Sequence, residues 1–147
     1  MSSLKKTLRT LCRLRDWSVK DQQRSLAEAH RHGESLRKQV DALEHEIVAE
    51  QTCARLDPLV GGYTYAGFLK RAAEQRDKLD ASIRTADEAE SEHRSRLKAA
   101  IQERRKVEIL AEAHEQKEAL AAEAEEQKII DEISTQTYAA RGPRNVS

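Results

Sequence analysis

The chain has 147 residues, 35% of them charged, 38% hydrophobic and only 3% aromatic, with five glycines and two prolines. Lysine and arginine balance aspartate and glutamate at 26 each, and the signs are interspersed, so no basic block suits a phosphate backbone and no acidic tail stands apart. No stretch nears the roughly 18 apolar residues a membrane span needs, and the first residues lack the apolar centre of a secretory signal, so a cytoplasmic protein is expected.

A globular core of this size would hold more Phe, Trp, Ile and Val. Abundant Ala, Glu, Lys, Leu and Arg with little Gly and Pro indicates long helices. Disorder is the competing reading of so polar a chain, but the apolar residues recur with a period, which a disordered chain has no need of.

In the first third, Cys12, Val19, Leu26, Gly33, Val40, Ile47 and Ala54 stand seven residues apart. A companion column holds Leu8, Arg15, Gln22, Ala29, Leu36, Leu43 and Glu50. The two interleave as heptad positions, most clearly from Leu36 to Ile47. Leu4, Leu11, Leu14 and Trp17 widen the apolar face near the start, while Lys5, Lys6, Arg9, Arg13 and Arg15 are read as a solvated face. Cys12 falls on the stripe, as packing. Cys12 and Cys53 would lie about 60 Å apart on one helix, too far to bridge, and both are expected as free thiols in a reducing compartment.

The pattern breaks at Leu56-Asp57-Pro58-Leu59-Val60-Gly61-Gly62. Pro58 disfavours helix at Asp57, and the glycine pair permits the positive backbone angles of a tight reversal. Thr64 is expected to cap the next helix. From about Tyr65 to Tyr138 a second pattern runs unbroken: Ala72, Leu79, Ala86, His93, Ala100, Val107, His114 and Ala121, beside Arg76, Ile83, Glu90, Leu97, Arg104 and Ala111. The expected fold is all-α, one antiparallel two-helix coiled coil, with a helix over about 3–55, a hinge over 56–63, a helix over about 64–138 and a flexible tail over 139–147. At roughly 1.5 Å per residue the helices would measure about 75 Å and 110 Å, so the second overhangs the first. A helix without an internal partner needs an external one, because packing supplies most helix stability.

No catalytic, cofactor-binding or metal site is expected. Gly61-Gly62 lacks the Gly-Lys-Ser/Thr of a phosphate loop. His30 and His32 point to different sides of a helix, Glu44-His45-Glu46 likewise, and His93 and His114 are three heptads apart. The five histidines therefore read as solvated or seam-packed. Tyr63, Tyr65 and Phe68 concentrate the few aromatics at the hairpin tip, where they can cover the last heptads or anchor a partner.

Three segments resemble the FliJ family: Glu50-Gln51-Thr52-Cys53-Ala54-Arg55-Leu56-Asp57-Pro58, then Tyr65-Ala66-Gly67-Phe68-Leu69 with Glu74-Gln75-Arg76, and Glu126-Gln127-Lys128-Ile129-Ile130-Asp131-Glu132-Ile133. The opening Leu11-Cys12-Arg13-Leu14-Arg15 is similar to the start of many members, and the resemblance covers essentially the whole chain. It implies a non-enzymatic part of the bacterial flagellar type III export apparatus, needed for flagellum assembly and hence motility and chemotaxis. The implied partners are the hexameric export ATPase, the cytoplasmic domain of the membrane export gate and export chaperones, with no nucleic acid or small-molecule substrate. The implied place is the cytoplasmic face of the inner membrane at the flagellar base, and the free protein would be an elongated monomer. The family's gate-binding face maps onto Phe68, Ala72, Gln75 and Leu79, of which only Phe68 keeps the family's residue type. Its ATPase-facing residues map onto Leu4, Leu8, Leu11, Arg15, Gln127, Ile130, Asp131, Glu132 and Tyr138. The stalk of a virulence-type secretion system and a homodimeric coiled-coil scaffold are the alternatives.

Overall fold

The computed structural model, which describes residues 2–142, contains two helices, α1 over Ser2–Leu56 and α2 over Pro58–Arg141, packed against each other as a helical hairpin. The chain divides into two compact units, each holding part of both helices. One runs from Asp16 to Gln102, and the other combines the N-terminal segment up to Arg15 with the C-terminal part from Glu103.

In the Asp16–Gln102 unit, Leu36, Val40 and Leu43 of α1 form a core with Ala72, Leu79 and Ala86 of α2, and Ile47, Phe68 and Ile83 pack against it. Val19 is the most deeply buried large side chain. The helices run antiparallel, as the cross-helix pairs show. Arg76 Nη1 donates to Glu44 at 2.6 Å, Arg37 Nη2 to Asp87 at 2.7 Å, and His30 Nδ1 lies 3.2 Å from Glu90, so partners rise in number on α2 as they fall on α1. The hydrogen bonds Arg76 donates to Glu44 and then to Asp80 raise its pKa above the ordinary value. Pairs this exposed are screened by water, so they select register more than they hold the helices together.

The heptad columns hold over most of their length. Every member from Cys12 to Ala54 is buried or half-buried, and in the companion column only Glu50 is exposed. On α2, nothing from Ala72 to His114 or from Arg76 to Ala111 in the two columns is exposed, whereas Ala121 is. Cys12 is half-buried and Cys53 exposed, both as free thiols.

The reversal is much shorter than the expected 56–63 hinge. Asp57 alone leaves the helical conformation. Its N–H donates to Cys53 O at 3.1 Å, closing the last turn of α1, and its carbonyl accepts from Gly61 N at 2.8 Å, opening α2. Pro58 takes the first helical position, where a missing N–H leaves no bond unmade. Asp57 therefore stands at the cap position expected of Thr64. Thr64 lies inside α2, its hydroxyl donating back to Gly61 O at 3.3 Å.

Gly61 and Gly62 are helical, and the only glycine with positive φ is Gly142, at 68°. Gly61 serves close approach instead. A Cβ built there would lie 2.7 Å from Ala54 Cα, while one on Gly62 meets nothing within 4 Å. Gly142 ends α2 by donating to Ala139 O at 3.3 Å, in the left-handed cap geometry glycine favours. Residues 139–141, expected in a flexible tail, are thus helical, and Pro143 and the remaining tail, 143–147, lie outside the described residues.

The two glycines separate in a test. Gly61→Ala forces carbon against backbone and should destabilise by about 1–3 kcal/mol. Gly62→Ala relieves a helix-interior glycine and should stabilise by up to about 1 kcal/mol. Denaturant melts of the two variants should therefore move in opposite directions, and a pair moving together would contradict the close approach at Ala54.

Candidate partner-binding surfaces

A partner can touch only what the seam leaves outside. Of the four residues mapped to the gate face, Ala72 and Leu79 are only 3% and 8% exposed within the core, and Phe68 is half-buried against it. Gln75 alone is exposed. Heptad spacing puts four such residues on one face, but here that face is largely the one turned to α1. The large apolar groups open to solvent lie nearer the reversal: Leu56, Leu59 at 92% exposure and Tyr63 at 91%, with Leu69 partly exposed. Tyr65 is half-buried. From Gln51 to Leu69 the only charged residues are Arg55 and Asp57, which in a chain one-third charged makes the tip an apolar end.

Within the unit that holds the chain ends, Leu8, Leu11, Cys12 and Arg15 are half-buried, and Leu4 is half exposed. Lys5, Leu8, Arg9 and Cys12 border a shallow groove with Ala111, His114 and Glu115. Arg15 Nη2 lies 4.0 Å from Glu103, while its Nε is buried with no hydrogen-bond partner. Lys106 Nζ donates to Glu103 at 2.9 Å, and this bond, followed by the charges of Lys106 and Arg15, lowers the Glu103 pKa. His114 Nε2 lies 3.1 Å from Glu118, close enough for an ion pair when protonated but not aligned as a hydrogen bond.

The last half-buried member of this α2 face is Glu118. Every residue from Ala119 to Ala140 is exposed. Leu120, Ile129, Ile130, Ile133 and Tyr138 are among them, as are Gln127, Asp131 and Glu132, and Gln127 Nε2 donates to Asp131 at 3.1 Å. Beyond the covered segment the seam column reads Glu118, Glu125, Glu132, which no apolar partner would follow. At 100° per residue, Ile129, Ile130 and Ile133 gather about 100° round the helix from that column. Whatever covers the isoleucines approaches from a side that the heptad seam does not use.

One interaction was missed by pattern reading. Glu90, in a seam column, is 8% exposed and accepts from Arg94 Nη2 at 2.9 Å, with His30 of α1 at 3.2 Å. A carboxylate at a seam position needs cations, and Arg94 one turn on was the available signal. His30, read as solvated or seam-packed, is its cross-helix partner. Among the described residues no three His, Cys, Asp or Glu side chains are grouped to hold a metal ion, and no helix is long and apolar enough to cross a membrane.

Two measurements check these assignments. Leu79→Asp buries a charge and should cost about 3–5 kcal/mol, whereas Tyr63→Asp, on open surface, should stay within about 0.5 kcal/mol of the parent by circular-dichroism melting. In an NMR titration Glu103 should ionise below the ordinary glutamate value, and Lys106→Ala should raise it. Because the folded pKa is lowered, Glu103 adds stability above the unfolded carboxylate pKa, and that stability is lost as pH falls through the folded value.

The family model described as "Flagellar FliJ protein" matches residues 4–143, nearly the entire chain. No curated protein and no solved structure matches it. A single heptad-patterned hairpin matched almost end to end by one family leaves little of the chain unaccounted for, and the protein belongs to the FliJ family, the non-catalytic components of the flagellar export apparatus.

Proposed function

We propose that this protein is the stalk of the flagellar export apparatus. Its two chain ends are held in the pore of the hexameric export ATPase, its hairpin tip is offered to the cytoplasmic domain of the export gate, and it escorts export chaperones at the cytoplasmic face of the inner membrane. The observation that carries this reading is the uncovered stretch of α2 from Ala119 to Ala140, with Leu120, Ile129, Ile130 and Ile133 on it. Isoleucines on an unpaired helix are a liability unless something covers them. The chain's N-terminal segment belongs to the same unit, so Leu4 and its neighbours extend that surface. Gln127, Lys128, Asp131 and Glu132, interspersed with the isoleucines, suit a fit that can turn within a polar pore better than a permanent apolar interface.

At the tip, we read the gate-facing role on Leu56, Leu59 and Tyr63, with Gln75 on the flank, because Ala72 and Leu79 are buried while these are exposed. A gate domain meeting these residues gains apolar contact without opening the core.

The decisive experiment compares hydrolysis by the export ATPase with the full chain and with a truncation lacking residues 127–147. The truncated protein should lose stimulation while circular dichroism shows the remaining helices intact. Equal stimulation by the truncated protein would move the ring contact away from the chain ends.

A further inference from the structure

The charge balance of the whole chain hides a division along it. Residues 2–38 contain ten Lys or Arg against four Asp or Glu, leaving sixteen against twenty-two in the remainder. Part of this excess is ordered. Trp17, Arg24, Arg31 and Lys38 stand seven residues apart on α1 in the Asp16–Gln102 unit, and all four are exposed, Trp17 at 67%. Lys20 is exposed beside them. This row lies away from the seam columns, so α2 does not cover it.

Several arginines elsewhere are answered within their own helix. Arg76 meets Asp80, Arg94 meets Glu90, Arg96 meets Glu92, and Arg105 meets Glu108. Among the described residues, Lys20, Arg24, Arg31 and Lys38 have no such partner. Asp21, half-buried, and Glu28, exposed, flank the row, and Glu28 pairs with neither Arg24 nor Arg31.

We propose that this row is a docking surface for an acidic α-helix of a partner protein, one carrying carboxylates at seven-residue spacing. The inference is independent of the stalk reading. Three cations about 10.5 Å apart along a single helix line match the repeat of a second helix laid alongside. The hairpin already pairs in this way across its own helices, at Arg76–Glu44 and Arg37–Asp87. Trp17 supplies the apolar end of the row, a large flat group to cover once the charges have set the register. An anionic lipid surface would call for a broader patch and several inserting apolar groups, whereas this narrow row carries a single aromatic.

Trp17 is the only tryptophan in the chain, so its emission reports on this surface alone. The full chain is titrated with a synthetic helical peptide bearing glutamate at every seventh residue. Parallel titrations use a peptide of the same composition with its glutamates scattered round the helix, and phosphatidylglycerol vesicles. The in-register peptide should shift Trp17 emission to the blue and saturate, and added salt should weaken it. The triple variant Arg24→Gln/Arg31→Gln/Lys38→Gln should bind it about tenfold more weakly, with helicity and melting unchanged. Equal binding by the scattered peptide, a Trp17 shift with vesicles but not peptide, or parental affinity in the triple variant would each overturn the proposal.

Discussion

Where α2 sets out, its Gly61 lies so close to Ala54 of α1 that one added carbon would strike backbone. That approach governs how the two helices of the Asp16–Gln102 unit meet. Further along the same seam Ala72 and Ala86 are buried opposite Leu and Val side chains, and Gly33 is buried too. Small residues bring two helical backbones together but remove little apolar area from water per turn. The hairpin therefore depends on a long, regular seam rather than on a few large anchors. A break anywhere would remove contacts that its neighbours are too small to replace.

Thin apolar packing gives the polar groups of the seam more influence over register. Glu90 is the clearest case, a carboxylate inside the interface with a cation from its own helix and an imidazole from the other. Such a group adds little stability compared with a leucine of similar size. What it opposes is sliding, since a shift by one heptad would leave it buried without His30. The exposed pairs Arg76–Glu44 and Arg37–Asp87 repeat the same preference at the edge of the seam.

The heptad columns were readable because they follow one periodic rule, and burial tracks them from Cys12 to Ala54 and from Ala72 to His114. The reversal was not, because Pro-x-x-Gly-Gly signals a turn by local preference while the structure uses the first glycine for interhelical clearance. Local reading has no access to Ala54 as a neighbour. Burial on the face of Phe68, Ala72, Gln75 and Leu79 was out of reach for a related reason. Spacing shows that Phe68, Ala72, Gln75 and Leu79 share a side, yet says nothing of whether that side meets solvent or α1. Leu56, Leu59 and Tyr63 are exposed because α1 ends beside them, a tertiary fact with no periodic trace. The bare apolar stretch after Glu118 was visible in outline, since a short helix cannot cover a long one.

A reversal made by Asp57 alone also decides where the gene can change length. One residue inserted between Ala54 and Gly61 would turn everything after it by about 100° and swing Ala72, Leu79 and Ala86 away from α1. Compensating for that turn would need several residues at once, and they would displace Gly61 from Ala54. Between Ala119 and Ala140 no internal packing stands in the way. Insertions and deletions that drift through relatives of this protein should therefore collect in that stretch and be purged from the reversal, leaving the length of the exposed helix as the dimension free to be tuned to whatever surrounds it.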